Sequence, residues 1–208
     1  MSPEHAGVPA QFWDELYRES RWSGDVNVVL ERIVAPLSPG TALDLGCGEG
    51  GDAIWLAGRG WQVRAVDISQ VALDRATGVA AGLRLTGRIR WERHDLDVSF
   101  PDGSFDLVSA QFLHSPVALA RDQILLRARD AVAPGGLLLV VGHAYPPPWA
   151  TGHEKAPPLP TTEQVVRALE LDRTWTVEVA ERAERPVTGP DGQPAMLTDS
   201  VVAVRLTG

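Results

Sequence analysis

Apolar and polar positions along this chain change period repeatedly, and each change marks an element. Residues 11–19 put Phe12, Trp13, Leu16 and Tyr17 on one helical face. A second helix is predicted over about 25–35, with Asp25 as its N-cap and Pro36 as its stop. The apolar run 42–45 reads as a strand ending in Gly46, Gly48, Gly50 and Gly51, after which helical patterning resumes over 53–57. Strands follow at 62–66, 88–93 and 105–109, with a helix over 70–81 between the first two. Ser115-Pro116 reads as an N-cap with proline at the first helical position, opening a helix that Pro134-Gly135-Gly136 ends. Residues 137–141 are all apolar, as in a strand buried on both faces.

Strands alternating with helices in this way predict βαβ units, a parallel sheet and helices on both of its faces. The last third changes character. Residues 145–160 hold six prolines and read as an extended loop, and Thr161 with Gln164 forms a capping box for a short helix to about Leu171. Residues 174–180 and 200–206 then read as an antiparallel hairpin at the sheet edge, joined through Gly189-Pro190-Asp191-Gly192. With no internal repeat and 208 residues, one domain is expected.

Composition narrows the chemistry. Asp and Glu total 27 against 19 Lys and Arg, for a formal charge of −8. That balance argues against nucleic acid or an anionic membrane surface as the partner, since both reward a basic face. Lys155 is the one lysine, so any amine-based covalent mechanism runs through it. Cys47 is the one cysteine, which excludes an intramolecular disulfide and a cysteine-rich metal site. The polar first ten residues are unlike a signal peptide and no apolar run approaches a membrane span, so a cytoplasmic protein is expected.

The glycine loop leaves two cofactors in competition. Gly46, Gly48 and Gly51 satisfy G-x-G-x-x-G between a strand and a helix, and Asp67 stands 21 residues after Gly46, where a carboxylate accepts ribose hydroxyls. That pattern fits a dinucleotide. Asp44 and Glu49 flank the loop, however, and two carboxylates repel a pyrophosphate while favouring a cofactor with ammonium and sulfonium charges.

At this point the residues resemble the class I S-adenosylmethionine (SAM)-dependent methyltransferases. The resemblance rests on Ala42-Leu-Asp-Leu-Gly-Cys-Gly-Glu-Gly, Val66-Asp67-Ile68-Ser69, His94-Asp95-Leu96, Phe105-Asp106-Leu107-Val108 and Pro134-Gly135-Gly136-Leu137, five segments in the family's order across about residues 40–143. It implies a Rossmann-like three-layer α/β/α fold, with a seven-stranded, mostly parallel sheet, an antiparallel edge hairpin and N-terminal helices. The implied organisation is a helical lid over 1–38, a SAM-binding core over 40–143 and an acceptor-side loop with the C-terminal hairpin over 144–208. The implied reaction is in-line transfer of the SAM methyl to a small molecule. Two alternatives remain beside it: a SAM-binding or interaction protein without turnover, and a nicotinamide-dependent oxidoreductase.

Roles follow from the resemblance residue by residue. Asp44, Gly46 and Gly48 hold the methionine end of the cofactor, with Cys47 a small spacer in the same loop. Asp67 takes the ribose hydroxyls, Ile68 lies against the adenine, Asp95 takes the adenine amino group and the backbone of Leu96 meets the ring edge. Gln111 stands near the ammonium and the transferring methyl. His114 and His143 follow the fourth and fifth strands and face the acceptor, either as general bases or as hydrogen-bonded pocket residues. Tyr145 and Trp149 are candidate substrate contacts, or part of a rigid proline spacer. Phe12-Trp13, Tyr17 and Trp22-Ser23-Gly24 with Asn27 resemble the lead-in of the tellurite-resistance and thiopurine-methyltransferase-like branch, although Val26 stands where many relatives carry proline. There Trp22 is expected to close over the cofactor.

Overall fold

The computed structural model describes residues 9–19, 24–149, 159–189 and 191–208. Its elements in chain order are α1 (Pro9–Glu19), α2 (Val28–Val34), β1 (Thr41–Leu45), α3 (Gly51–Gly58), β2 (Gln62–Asp67), α4 (Gln70–Gly82) and β3 (Ile89–Arg93). They continue with β4 (Phe105–Gln111), α5 (Arg121–Asp130), β5 (Val132–His143), α6 (Thr162–Ala168), β6 (Trp175–Thr188) and β7 (Pro194–Leu206). The seven strands form one sheet in the order β3-β2-β1-β4-β5-β7-β6. β1 to β5 are parallel; β7 runs antiparallel to β5, and β6 pairs antiparallel outside it. The expected Rossmann-like sheet with an antiparallel edge is therefore present. Among the described residues no helix is long and apolar enough to cross a membrane.

Strand periodicity divides the core into two layers. In β5, Leu137, Leu139 and Val141 enter one cluster with α2 and α3, through Leu30, Val34 and Leu56. Leu138 and Val140 point the other way, onto Ile124, Leu125 and Ala128 of α5 and Val165 of α6. Both faces of the strand are covered, which is why five consecutive apolar residues are tolerated there.

Several boundaries depart from the sequence reading, each for a local reason. Asn27, not Asp25, caps α2: its backbone is extended and its side chain accepts from Val29 N at 2.8 Å. Ser115 opens no helix. Its hydroxyl accepts from Val117 N at 3.2 Å in a local turn, and α5 starts only at Arg121, after Asp97 has taken the Ala120 N–H at 2.9 Å. The same helix stops at Asp130, because Val132 already pairs with Phe105 before a register shift in β4–β5. β6 and β7 are about twice their expected length, since pairing continues from Trp175↔Leu206 to Thr188↔Pro194 through charged residues. The Thr161–Gln164 capping box is present, closing both of its bonds, and α6 ends at Ala168 rather than near Leu171.

The N-terminal helix is tied to the sheet at one point. Ser69, fully buried, caps α4 by accepting from Ala72 N at 3.2 Å and donates its own hydroxyl to Asp14 of α1 at 2.7 Å. Burial works against the Asp14 charge, yet the Ser69 hydroxyl and the Val71 N–H, with Arg93 and Arg18 beyond, hold its carboxyl below the usual range. Ser69→Ala removes the cap and the Asp14 donor together. We expect a loss of about 1–2 kcal/mol in urea unfolding; an unchanged midpoint would contradict this double role.

Candidate active site

Parallel strands that end side by side open their following loops on one side of the sheet. Asp44 is the last residue but one of β1, Asp67 ends β2, Asp95 follows β3, Gln111 ends β4 and His143 ends β5, and all five line one cavity of about 520 Å³. Gly46, Cys47, Gly48, Ile68, Leu96 and His114 line it too. The Pro9, Trp13 and Tyr17 side of α1 covers it.

The glycine loop is built on the end of β2. Gly46 N and Cys47 N both donate to Val66 O, at 2.9 and 3.0 Å, and Gly48 N donates to Asp67 Oδ2 at 2.9 Å. Gly46 and Gly48 have φ of +69° and +54°, a region that side chains disfavour. A Cβ on Gly48 would also stand 2.7 Å from the Tyr17 hydroxyl, and one on Gly46 2.9 Å from Leu113. Glycine is needed at both because α1 and the turn after β4 close onto the loop.

Carboxylates crowd this end of the cavity. Asp44 is 2% exposed and its Oδ2 has no hydrogen-bond partner among the described residues. Burial, then the charges of Asp52 and Asp67, push it well above the usual carboxylate range. Asp52, which sequence reasoning missed, is pushed up to about 6 by burial although it accepts from Asn27 N at 2.7 Å. Burial also raises Asp67, but N–H donors from Ser69, Gly48 and Ile68 offset part of that. The Cys47 thiol is pushed far up by burial and by Asp67 and Asp44, so it stays protonated and is no nucleophile. Glu49, expected to act with Asp44 against anions, is instead paired with Arg75 at 2.8 Å, and Asp52 takes its place in the acidic cluster. The signal for Asp52 was its position in the first turn of α3, directly behind the glycines.

The other end is neutral and ring-lined. Gln111 donates to Ser109 Oγ at 2.9 Å and leaves its buried Oε1 without a partner among the described residues. Phe112 has φ +50°, which turns the chain after β4 and lays its ring 4.5 Å from that of His143. His114 stacks on His143 at 6.2 Å and 17°. Burial, with Arg121 and His143 adding to it, pushes His114 down to about 4. Arg185 and Pro186 of β6 complete this wall, and no local pattern announced them.

Tyr145 and Trp149 are not among the described residues lining the cavity. Ala144 N donates to Thr198 O at 2.9 Å, which keeps the chain beside β7 and carries Tyr145 away to 53% exposure. Its hydroxyl accepts from Arg182 at 2.8 Å on the outside of β6. Trp22 lies outside the described residues.

Residues 42–136 match a family described as a methyltransferase domain. Over 167 residues the chain is 34% identical to the 2-methyl-6-phytyl-1,4-hydroquinone methyltransferase of a Synechocystis species, covering 78% of this chain and 46% of that protein. It is 33% identical over 143 residues to the 2-heptyl-1-hydroxyquinolin-4(1H)-one methyltransferase of Mycobacteroides abscessus, covering 67% and 60%. Its fold is similar to that of TehB from Haemophilus influenzae, with a TM-score of 0.67 at 17% identity over 96% of this chain and 67% of that one. The chain spans less than two thirds of the length of the curated relatives it first matches, from 16% of one to 60% of another. It carries, over residues 42–136, a methyltransferase domain of the class I family whose methyl donor is S-adenosylmethionine.

Proposed function

We propose that this protein transfers the methyl group of SAM to a small-molecule acceptor and releases S-adenosylhomocysteine. The observation that carries the reading is Asp44, a buried carboxylate whose Oδ2 has no hydrogen-bond partner among the described residues and which lines a cavity shared with Asp52 and Asp67. Such a group is stabilised by a bound cation. An ammonium and a sulfonium supply that charge; a pyrophosphate does the opposite, which weighs against the nicotinamide alternative.

In this reading Asp44, Gly46 and Gly48 hold the methionine end, with Cys47 as the loop's small spacer. Asp67 takes the ribose hydroxyls with lone pairs left after its bonds to Gly48 and Ser69. Ile68 packs on the adenine, Asp95 takes its amino group and the Leu96 backbone meets its edge. Gln111 offers its unpartnered Oε1 toward the charged end. α1, with Trp13 and Tyr17, covers the cofactor as a lid. When bound, SAM supplies an electrophilic methyl carbon on a positively charged sulfur. The protein's own contribution is to align an acceptor behind that carbon and keep water out, a large part of the acceleration available to such transfers. The small-molecule class is supported by the size of the cavity and by two relatives named for ring acceptors, a hydroquinone and a hydroxyquinolinone.

Calorimetry with SAM and with NAD, followed by S-adenosylhomocysteine formation against thiophenol, 1-naphthol, aniline, selenite and tellurite, tests the reading. SAM binding with turnover of one of these acceptors is expected; NAD binding without SAM binding would overturn it. Asp44→Asn should weaken SAM binding by roughly 1.5–3 kcal/mol, the value of a hydrogen bond to a charged group. Burial beside Asp52 and Asp67 already favours the protonated form of Asp44 without ligand, so Asn should leave the ligand-free unfolding temperature about unchanged, which separates a binding defect from misfolding.

The acidic cluster also sets a pH dependence. Asp52 protonates as pH falls through about 6, so SAM affinity should drop about tenfold between pH 7.5 and pH 5. Stability without ligand moves the other way. A carboxyl raised above its unfolded value of 3.8 favours the folded state increasingly as pH falls from about 6. Thermal unfolding with and without SAM at both pH values checks both signs at once.

A further inference from the structure

We infer that Asp199 is a positioning residue that fixes His143 as the proton acceptor for the methyl-accepting atom, so that the acceptor is a hydroxyl or thiol that loses its proton on methylation. The inference rests on the proposed methyl transfer and names the acceptor class for it.

Strand register brings the two groups together. His143 is the last residue of β5, and Asp199 lies directly opposite it on β7. Asp199 is 0% exposed, in a stretch that otherwise buries Val201, Val202, Ala203 and Val204. Its Oδ2 accepts from Arg185 Nε at 2.5 Å. Its Oδ1 stands 3.4 Å from His143 Nδ1, and both atoms are buried with no other hydrogen-bond partner among the described residues. One proton on Nδ1 and a shift of a few tenths of an ångström satisfy both atoms. That proton fixes the tautomer and leaves the lone pair on Nε2.

The ring is held as well as polarised. Phe112 packs on it at 4.5 Å, His114 stacks at 6.2 Å, and Gly142 leaves room for His114, since a Cβ there would stand 2.7 Å from its Nε2. The charged or titratable groups bearing on His143 are Asp199 from β7, Arg185 from β6 through Asp199, and His114 from the turn after β4. The buried carboxylate thus distinguishes two histidines that sequence position left equivalent. Among the described residues His114 has no carboxylate partner and a nearby Arg121, and burial pushes it toward the neutral form.

The step balances. The acceptor's O–H or S–H bond breaks and its proton passes to Nε2 of neutral His143. The electron pair left on oxygen or sulfur forms the new bond to the methyl carbon, and the former carbon–sulfur pair stays on the cofactor sulfur. The imidazolium keeps its Nδ1–H on Asp199 Oδ1, carries the extra positive charge only transiently, and returns its Nε2 proton to water. An amine without a proton would need none of this.

Nitrogen-15 NMR of histidine-labelled protein without cofactor tests the tautomer directly. Wild type should show His143 protonated on Nδ1. In Asp199→Asn the amide oxygen faces the Arg185 donor, so the NH2 faces Nδ1 and the tautomer should switch to Nε2–H. A wild-type Nε2–H tautomer, or no switch in a folded Asp199→Asn, would overturn the proposal; the wild-type spectrum decides even where the variant does not fold. In turnover, Asp199→Asn and His143→Gln should each lower kcat for 1-naphthol about a hundredfold or more. Thiophenol, already a thiolate at pH 8, should lose much less, and SAM affinity should stay within twofold. Equal losses on both acceptors would also overturn it. SAM binding with no turnover of any acceptor would instead sink the proposed methyl transfer, while the tautomer still reports on Asp199.

Discussion

A carboxylate withdrawn from water needs a proton, a donor or a counter-charge, and the two carboxylates at the ends of β1 and β2 meet that need differently. Asp67 is surrounded by N–H groups from Gly48, Ser69 and Ile68, and its negative charge organises the glycine loop before any ligand arrives. Asp44, one strand over, has no such donor on Oδ2 among the described residues, and burial beside Asp52 and Asp67 makes its negative charge costly until a counter-charge arrives. The fold thus carries an electrostatic deficit at one place, and a ligand cation corrects it. In the proposed methyl transfer the sulfonium charge is consumed while the ammonium remains, so the same deficit favours the doubly cationic donor over its thioether product.

The opposite end of the cavity follows another rule. Arg185 and Asp199 neutralise one another within β6 and β7, and the rings of Phe112, His114 and His143 present apolar faces and uncharged edges. A neutral, aromatic acceptor suits those walls, and a proton can move there without a competing charge. Both ends sit on one sheet: Asp44 and Asp67 on the parallel β1 and β2, and His143 on β5 against Asp199 of the antiparallel β7.

The parallel core was legible because its information is local. Five apolar residues in β5, the glycines after β1 and the acidic strand ends are each read without knowing what lies across the sheet. What was missed is long-range. Asp25 looks as good a cap as Asn27 until the backbone angles are known, and Ser115-Pro116 is a sound helix start that Asp97, from the loop after β3, overrides by holding Ala120. The outer half of β6, the edge strand, is charged, as exposed edge strands tend to be, so alternation did not mark it. Asp199 is the sharpest case. In sequence it is an ordinary polar residue in Thr198-Asp199-Ser200, and only the pairing of β7 with both β5 and β6 shows His143 on one side and Arg185 on the other. Tyr145 and Trp149 lie outside the cavity lining for the mirror reason: chain direction after β5 is set by the Ala144–Thr198 bond, which proline content does not reveal.

The α1 helix joins these observations. Its Tyr17 lies against Gly48 and its Asp14 accepts from Ser69, so the cover of the cavity is fastened to the residues on either side of Asp67 in space. Ser69 N also donates to Asp67 Oδ1, which puts the helix anchor and the carboxylate on one short hydrogen-bonded chain. An outward movement of α1 must break or stretch the Asp14–Ser69 bond, and Ser69 cannot shift without disturbing the donor that offsets the burial of Asp67. Among the described residues, the wall built from β5, β6 and β7 shares none of those bonds, so the two sides of the cavity are held independently.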